Sequence, residues 1–200
     1  MDARAKEADL SFERKHFDGK NFEAIVKDVN ESGYDLVILG ALGQGAVKDS
    51  LVGSFVERLL RRTEVDTLVV RSLASSQGPA PDRRMVVCLD GSQHSWAGLV
   101  TACRLAVHFQ KTLELLVAAP AASPGDDGAR EEAALLRAHL QVAERYAKSQ
   151  GVATSGHVLE GPGLAREAIV EWVQGTPWLL VAGRSGSDAN GTAPIGSTTE

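Results

Sequence analysis

The sequence contains little sulfur and no cluster of metal-binding side chains. Only two cysteines, Cys88 and Cys103, occur among 200 residues, and both lie in apolar segments without a Cys-x-x-Cys partner. We therefore expect two buried free thiols, as is usual in a reducing cytoplasm. The five histidines are scattered along the chain, so a zinc site is not expected.

Strong positive charge and long apolar stretches are also absent. The net charge is −5, so no basic field attracts DNA or an anionic membrane. No apolar run reaches the roughly 18 residues that a transmembrane helix needs, and the first ten residues hold no signal-peptide core. These absences predict a soluble, cytoplasmic protein that binds neither nucleic acid nor membranes.

A glycine spacing occurs twice, each time directly after an apolar run that is typical of a buried strand. Each copy reads Gly-x2-Gly-x9-Gly-Ser. The first copy consists of Gly40, Gly43, Gly53 and Ser54, and the second of Gly183, Gly186, Gly196 and Ser197. Glycines let the backbone approach an anion closely, and the N–H groups at a helix start carry partial positive charge. The repetition indicates a duplicated phosphate-binding unit.

Apolar periodicity predicts strands that alternate with helices, which is typical of an α/β fold with an open parallel sheet and helices on both faces. Strands are expected at 10–17, 35–39, 66–71, 85–90, 113–119, 154–159 and 178–182. Helices are expected at 20–32, 54–63, 95–109, 129–149 and 164–174. Ligands bind such sheets at the carboxyl ends of the strands, where Asp90 and both glycine copies lie.

Two stretches resemble the universal stress protein family, whose signature is Gly-x2-Gly-x9-Gly-Ser/Thr. The segment GALGQGAVKDSLVGSFVERLLRRTEVDTLVVR (40–71) is similar to the family's loop, fourth helix and fifth strand. The segment VVCLDGSQHSWAGLVTACRLA (86–106) is similar to its first strand and first helix. The resemblance implies an adenine nucleotide alpha hydrolase-like (Rossmann-like) sheet with strand order 3-2-1-4-5.

The resemblance also implies a division of the chain. Residues 1–71 would be the C-terminal part of a first domain. Residues 72–84, which are rich in Ser, Pro and Gly, would form a linker. Residues 85–200 would form a second domain that lacks its last helix and strand. We expect the first part to complete the second sheet, with residues 36–39 docked beside residues 86–89.

The resemblance further implies which residues bind a nucleotide. Both glycine copies would hold the phosphates and ribose, Asp90 would face the adenosine, and the backbone near Val117 and Ala118 would line the adenine pocket. Two local alternatives stay open. Ser54 could cap its helix in a Ser-Phe-Val-Glu capping box, and Asp90 could be an N-cap. In the second copy, Asp188 would repel phosphates unless a metal intervened.

The function that follows from the resemblance is ATP binding, with or without Mg²⁺, in a stress response. The alternative is a family member that binds no nucleotide and acts as an interaction scaffold. We expect a homo-oligomer or a domain pair that assembles through the strand at 66–71. The chain has no Gly-Lys-Ser/Thr phosphate loop, so at most a slow ATPase is expected. A redox dinucleotide domain is disfavoured because Asp66 begins its strand instead of ending it.

Overall fold

Two parallel sheets, each in its own unit, form the framework of the chain. The computed structural model describes residues 2–18, 22–41, 53–70, 84–161, 165–173 and 179–184. The chain separates into a first unit, residues 1–73, and a second unit, residues 74–200.

The first unit contains a two-stranded parallel sheet and three described helices. Its elements are α1 (Asp2–Glu7), α2 (Phe22–Glu31), β1 (Leu36–Gly40), α3 (Ser54–Leu60) and β2 (Asp66–Val70). Strands β1 and β2 run from the pair Leu36–Asp66 to the pair Gly40–Val70. The helix α2, which lies within the predicted range 20–32, ends before Gly33, whose φ of 69° suits a glycine.

Only one face of this small sheet is packed among the described residues. Val37 and Leu39 point toward a cluster of Phe22, Val26 and Leu59 on α2 and α3. On the other face, Leu36 and Ile38 are 49% and 62% exposed. Because parallel sheets are usually covered on both faces, this arrangement leaves an apolar surface.

The strand expected at 10–17 is wrong. Residues 11–18 form neither helix nor strand, and Leu10 and Phe12 are largely exposed. Alternating polarity stabilises a strand only where a neighbouring strand and a core accept it. This segment is held instead by Lys15, whose Nζ donates to Asp28 Oδ1 at 2.8 Å and to the Tyr34 hydroxyl at 2.9 Å.

The second unit is a four-stranded parallel sheet in the order β5-β4-β3-β6. Its elements are β3 (Met85–Cys88), α4 (Gln93–Phe109), β4 (Leu113–Pro120), α5 (Asp127–Ser149), β5 (Thr154–Gly161), α6 (Ala165–Trp172) and β6 (Leu179–Val181). In chain order this is 3-2-1-4, which confirms the strand order implied for the second part of the chain.

Helices cover both faces of the second sheet. On one face, alternate strand residues such as Val87 and Leu115 form a buried core with α4 and α5. On the other face, the ring of Trp172 in α6 lies 5.1 Å from that of His157, which pairs in register with Leu116. The predicted open parallel sheet with helices on both faces is therefore confirmed.

The expectation that residues 36–39 dock beside residues 86–89 is wrong. β3 pairs with β4 on one side and with β6 on the other, through the register Val86–Leu180 and Val87–Val181. Both edges of β3 are thus occupied within the second unit. β6 follows β5 and α6 in the same unit, and this β-α-β connection, which is the usual one in parallel sheets, supplies the strand beside β3.

Among the residues that the structure describes, no helix is both long enough and apolar enough to cross a membrane. The longest, α5, has a buried stripe of alanine and leucine and an exposed face rich in charge.

We predict that Asp28 makes the first unit sensitive to acid. Hydrogen bonds from Lys15, Ser32 and Tyr34 hold the pKa of Asp28 below its ordinary value. The stabilisation is present above the pKa of an unfolded aspartate, about 3.9, and is lost as the pH falls through the lower folded pKa. Denaturant titrations at several pH values should therefore show that acid lowers the free energy of unfolding less in Asp28→Asn than in the wild type.

The control for this prediction is Asp35→Asn, because Asp35 is an exposed residue of the same unit. Acid should lower the free energy of unfolding of this variant by as much as it does in the wild type. If Asp28→Asn and the wild type lose stability equally between about pH 5 and pH 2, the Asp28 network does not contribute in the way described.

Candidate functional site

A tight turn at the carboxyl end of β3 positions Asp90. Its Oδ1 accepts a hydrogen bond from the backbone N–H of Ser92 at 2.9 Å. Between them, Gly91 has a φ of 81°, a conformation that favours glycine. The turn therefore fixes one carboxylate oxygen of Asp90 and leads directly into α4.

Ser92, not Asp90, is the N-cap of α4. Ser92 Oγ accepts from the backbone N–H of Ser95 at 3.1 Å, and Ser95 Oγ donates to the Ser92 carbonyl at 2.9 Å. The alternative that Asp90 caps this helix is thus wrong, because Asp90 lies two residues too early. Its carboxylate stabilises the preceding turn instead.

Gly183 lies against the first turn of α4. It follows β6, the strand beside β3. A Cβ added at Gly183 would be 2.8 Å from the backbone N of Ser95 and 3.0 Å from the carbonyl carbon of His94. Only glycine permits this approach without a backbone shift, so the second glycine copy begins at a point of close backbone contact.

Ala118 lies on β4, the other neighbour of β3. It pairs in register with Leu159 and is half-buried, whereas Val117 is fully buried. Asp90, Ala118 and Gly183 therefore stand at or near the carboxyl ends of three adjacent parallel strands. The structure thus brings together three residues that are far apart along the chain.

In the first unit, the two ends of the first glycine copy are joined. Gly40 ends β1, and the next residue, Ala41, donates its N–H to Val70 at 2.9 Å. Ala41 then accepts from the backbone N–H of Gly53 at 2.7 Å. Gly40 and Gly53 are thus held close together at the carboxyl end of β1.

Ser54 does not form the expected capping box. Gly53 is the N-cap of α3, and Ser54 is the first helical residue and exposed. A capping box needs the serine one position earlier relative to the helix start. The remaining predicted residues of the two copies, Gly43, Gly186, Gly196 and Ser197, lie outside the described residues, as does Asp188.

His139 is a residue near the site that the sequence analysis did not single out. A Cβ added at Gly91 would be 2.1 Å from His139 Nδ1, so the ring lies directly on the Gly91 backbone. This Nδ1 is buried and makes no hydrogen bond with any described residue. The available signal was its position three residues after Leu136 and beside Leu140, on the buried stripe of α5.

The thiol of Cys88 is buried just before the site. Burial raises its pKa to about 12, and the charge of Asp90 acts in the same direction. Both cysteines are unpaired and buried, as the sequence predicts. Within the described residues, no group of three or more His, Cys, Asp or Glu side chains is arranged to hold a metal ion.

A parallel sheet in this strand order with helices on both faces defines the Rossmann-like fold class, in which ligands generally bind at the carboxyl ends of the strands. The sequence model described as "Universal stress protein family" matches residues 1–71 and 82–200. The chain therefore belongs to the universal stress protein family. No curated protein matches the sequence.

Solved structures of universal stress proteins are similar to this chain, and the two with TM-scores above 0.6 support the fold. A putative universal stress protein from Pseudomonas aeruginosa UCBPP-PA14 is 19% identical, with a TM-score of 0.68, and the match covers 100% of this chain and 71% of that one. A universal stress protein from Archaeoglobus fulgidus DSM 4304 is 20% identical, with a TM-score of 0.61, and the match covers 86% and 58%. A universal stress protein in complex with cAMP is 22% identical, with a TM-score of 0.44, and the match covers 58% and 86%.

We predict that Gly183→Ala destabilises the second unit. The new methyl group would meet backbone atoms of α4, which cannot move away as a flexible side chain could. Overpacking of this kind costs about 1–3 kcal/mol, so thermal unfolding should shift down by several degrees.

Gly128→Ala is the matched control for Gly183→Ala. Gly128 lies in the first turn of α5, and an added Cβ would only make an ordinary contact of 3.7 Å with Asp126. Alanine there should be neutral or slightly stabilising. Equal melting temperatures for the two variants would contradict the close approach at Gly183.

Proposed function

We propose that this chain binds an adenine nucleotide, with ATP the leading candidate, as part of a stress response. The observation that carries the proposal is the meeting of Asp90, the first turn of α4 and the Gly183 backbone at the ends of β3 and β6. This is where parallel α/β sheets bind ligands. Membership of the universal stress protein family supports the same ligand class.

The charge of Asp90 suggests how the nucleotide is oriented. Its carboxylate would repel phosphates, but its second oxygen can accept hydrogen bonds from ribose hydroxyls. We therefore place the adenosine near Asp90 and the half-buried Ala118, and its phosphates at the second glycine copy, Gly183, Gly186, Gly196 and Ser197. In the first unit, considered by itself, Gly40, Gly43, Gly53 and Ser54 would hold the phosphates of a separate nucleotide. Mg²⁺ would accompany the phosphates in either case.

We propose a corresponding domain assignment. Residues 1–71 belong to one family domain, residues 72–84 are a linker, and residues 85–200 belong to a second family domain. The separate matches of the family's sequence model to residues 1–71 and 82–200 support this division.

The nucleotide proposal predicts a thermal shift with Mg-ATP. A ligand at about 100 times its Kd stabilises the folded protein by about 2.7 kcal/mol, which corresponds to several degrees. Asp90→Asn keeps an oxygen that can accept from Ser92 but loses the carboxylate charge. It should melt near the wild-type temperature without ligand and respond less to Mg-ATP.

Asp127→Asn is the control, because this carboxylate is 92% exposed and lies at the start of α5. It should respond to Mg-ATP as the wild type does. A wild-type melting temperature that stays constant with ATP, ADP, GTP and NAD would refute nucleotide binding and favour the second candidate function.

The second candidate is an interaction scaffold that binds no nucleotide. The exposed apolar face of β1, with Leu36 and Ile38, favours it, because such a surface is typical of a contact site. In either case we propose that residues 66–71 pair with a second copy or a partner domain. Among the described strands, β2 pairs only with β1, and Val70 is 47% exposed.

Sedimentation velocity tests the pairing. If β2 forms the contact, the wild type should be a homo-oligomer and Val70→Lys should dissociate it, because edge lysines oppose strand pairing. Val170→Lys places the same charge on an exposed valine of α6 and should leave the assembly unchanged. An oligomer that persists in Val70→Lys would exclude this interface, and a wild type that is monomeric at high concentration would exclude pairing between two copies.

A further inference from the structure

The contact between His139 and Gly91 joins α5 to the turn that carries Asp90. The ring lies so close to the Gly91 Cα that a methyl group there would overlap Nδ1 and Cε1, at 2.1 and 2.3 Å. Packing of this kind leaves the Gly91 backbone little space to move toward α5. The helix that supplies His139 is itself fixed, because Ala133, Leu140 and Ala143 are buried in the core of the second unit.

Hydrogen bonds between Ser92 and Ser95 hold the turn from the side of α4, and His139 contacts it from the side of α5. Asp90 and Ser92 are both only half-buried, and their mutual hydrogen bond lies within the turn itself. Gly91 has no side chain with which to anchor it. The ring of His139 therefore adds a restraint from a second element at the one residue of the turn that has no side chain.

The chemistry of the contact is unusual for a residue with a purely structural role. Histidine Nδ1 is a polar atom, yet here it is buried and makes no hydrogen bond with any described residue. Burying a polar atom in this way costs stability that an apolar residue would not lose. Such a cost is typical of functional sites rather than of ordinary cores.

We propose that His139 is a positioning residue for the nucleotide site: its ring fixes the Asp90–Gly91–Ser92 turn and so orients the Asp90 carboxylate toward the ligand. The proposal rests on the proposed nucleotide binding. It assigns His139 no direct contact with the nucleotide. Its effect passes through Gly91 to Asp90 and to the first turn of α4.

The first test is the variant His139→Ala. Its control is Gln141→Ala, which introduces alanine at an exposed position of the same helix. Mg-ATP affinity is measured by calorimetry, and hydrogen exchange is measured for the Ser92 and Ser95 amides without ligand. His139→Ala should weaken Mg-ATP binding about tenfold, as loss of one positioned contact would, and should speed exchange at both amides. Gln141→Ala should change neither quantity.

The second test asks whether the effect passes through Gly91. Gly91→Ala introduces the overlap with the ring and also strains a residue with φ of 81°. In a His139→Ala background the overlap disappears and only the backbone strain remains. Gly91→Ala should therefore lower the melting temperature less in that background than in the wild type. Equal decreases in both backgrounds would show that the ring does not press on Gly91.

The outcomes separate the two proposals. A wild type that binds no nucleotide overturns the proposed function. A wild type that binds Mg-ATP, beside a His139→Ala variant that binds it equally well, overturns the role of His139 alone. Unchanged exchange at Ser92 and Ser95 in His139→Ala also overturns it, because the turn would then be fixed without the ring.

Discussion

The candidate site of the second unit depends on β3 being paired along both edges and buried on both faces. This strand is four residues long, and its residues are all buried. β4 and β6 hold it on either side, so the residues that follow each of these strands meet at one edge of the sheet. Asp90, Ala118 and Gly183 come together because of this pairing. If β3 were not paired on both edges, the backbone from which the Asp90 turn begins would not be held in one position.

The sequence predicted the regular elements well because its signals are local. Apolar runs of strand length, the glycine after α2 and the buried stripe of α5 each need only neighbouring residues to act. The glycine spacing also led to the family, and the strand order followed from it. Cys88 and Cys103 could be predicted to be buried because both lie in apolar segments.

The predictions that were wrong depend on contacts between segments, which a sequence does not show directly. The segment 10–17 alternates like a strand, but no described strand accepts it, and Lys15 holds it against α2 instead. The position beside β3 was assigned to the first unit because the linker is long enough, whereas a strand of the same unit fills it. The N-cap of α3 lies one residue before Ser54, and the N-cap of α4 lies two residues after Asp90. Such small shifts of a helix start change which side chain caps the helix. His139 could be recognised only once α5 was placed against Gly91.

The two buried thiols have a consequence for chemistry outside the site. Burial raises the pKa of Cys88 to about 12, and it raises that of Cys103 as well. Since the thiolate is the reactive form, almost none is present at neutral pH. These are the chain's only cysteines. In the folded chain neither cysteine therefore offers much thiolate for oxidation or disulfide exchange, and unfolding would be needed to expose both to that chemistry.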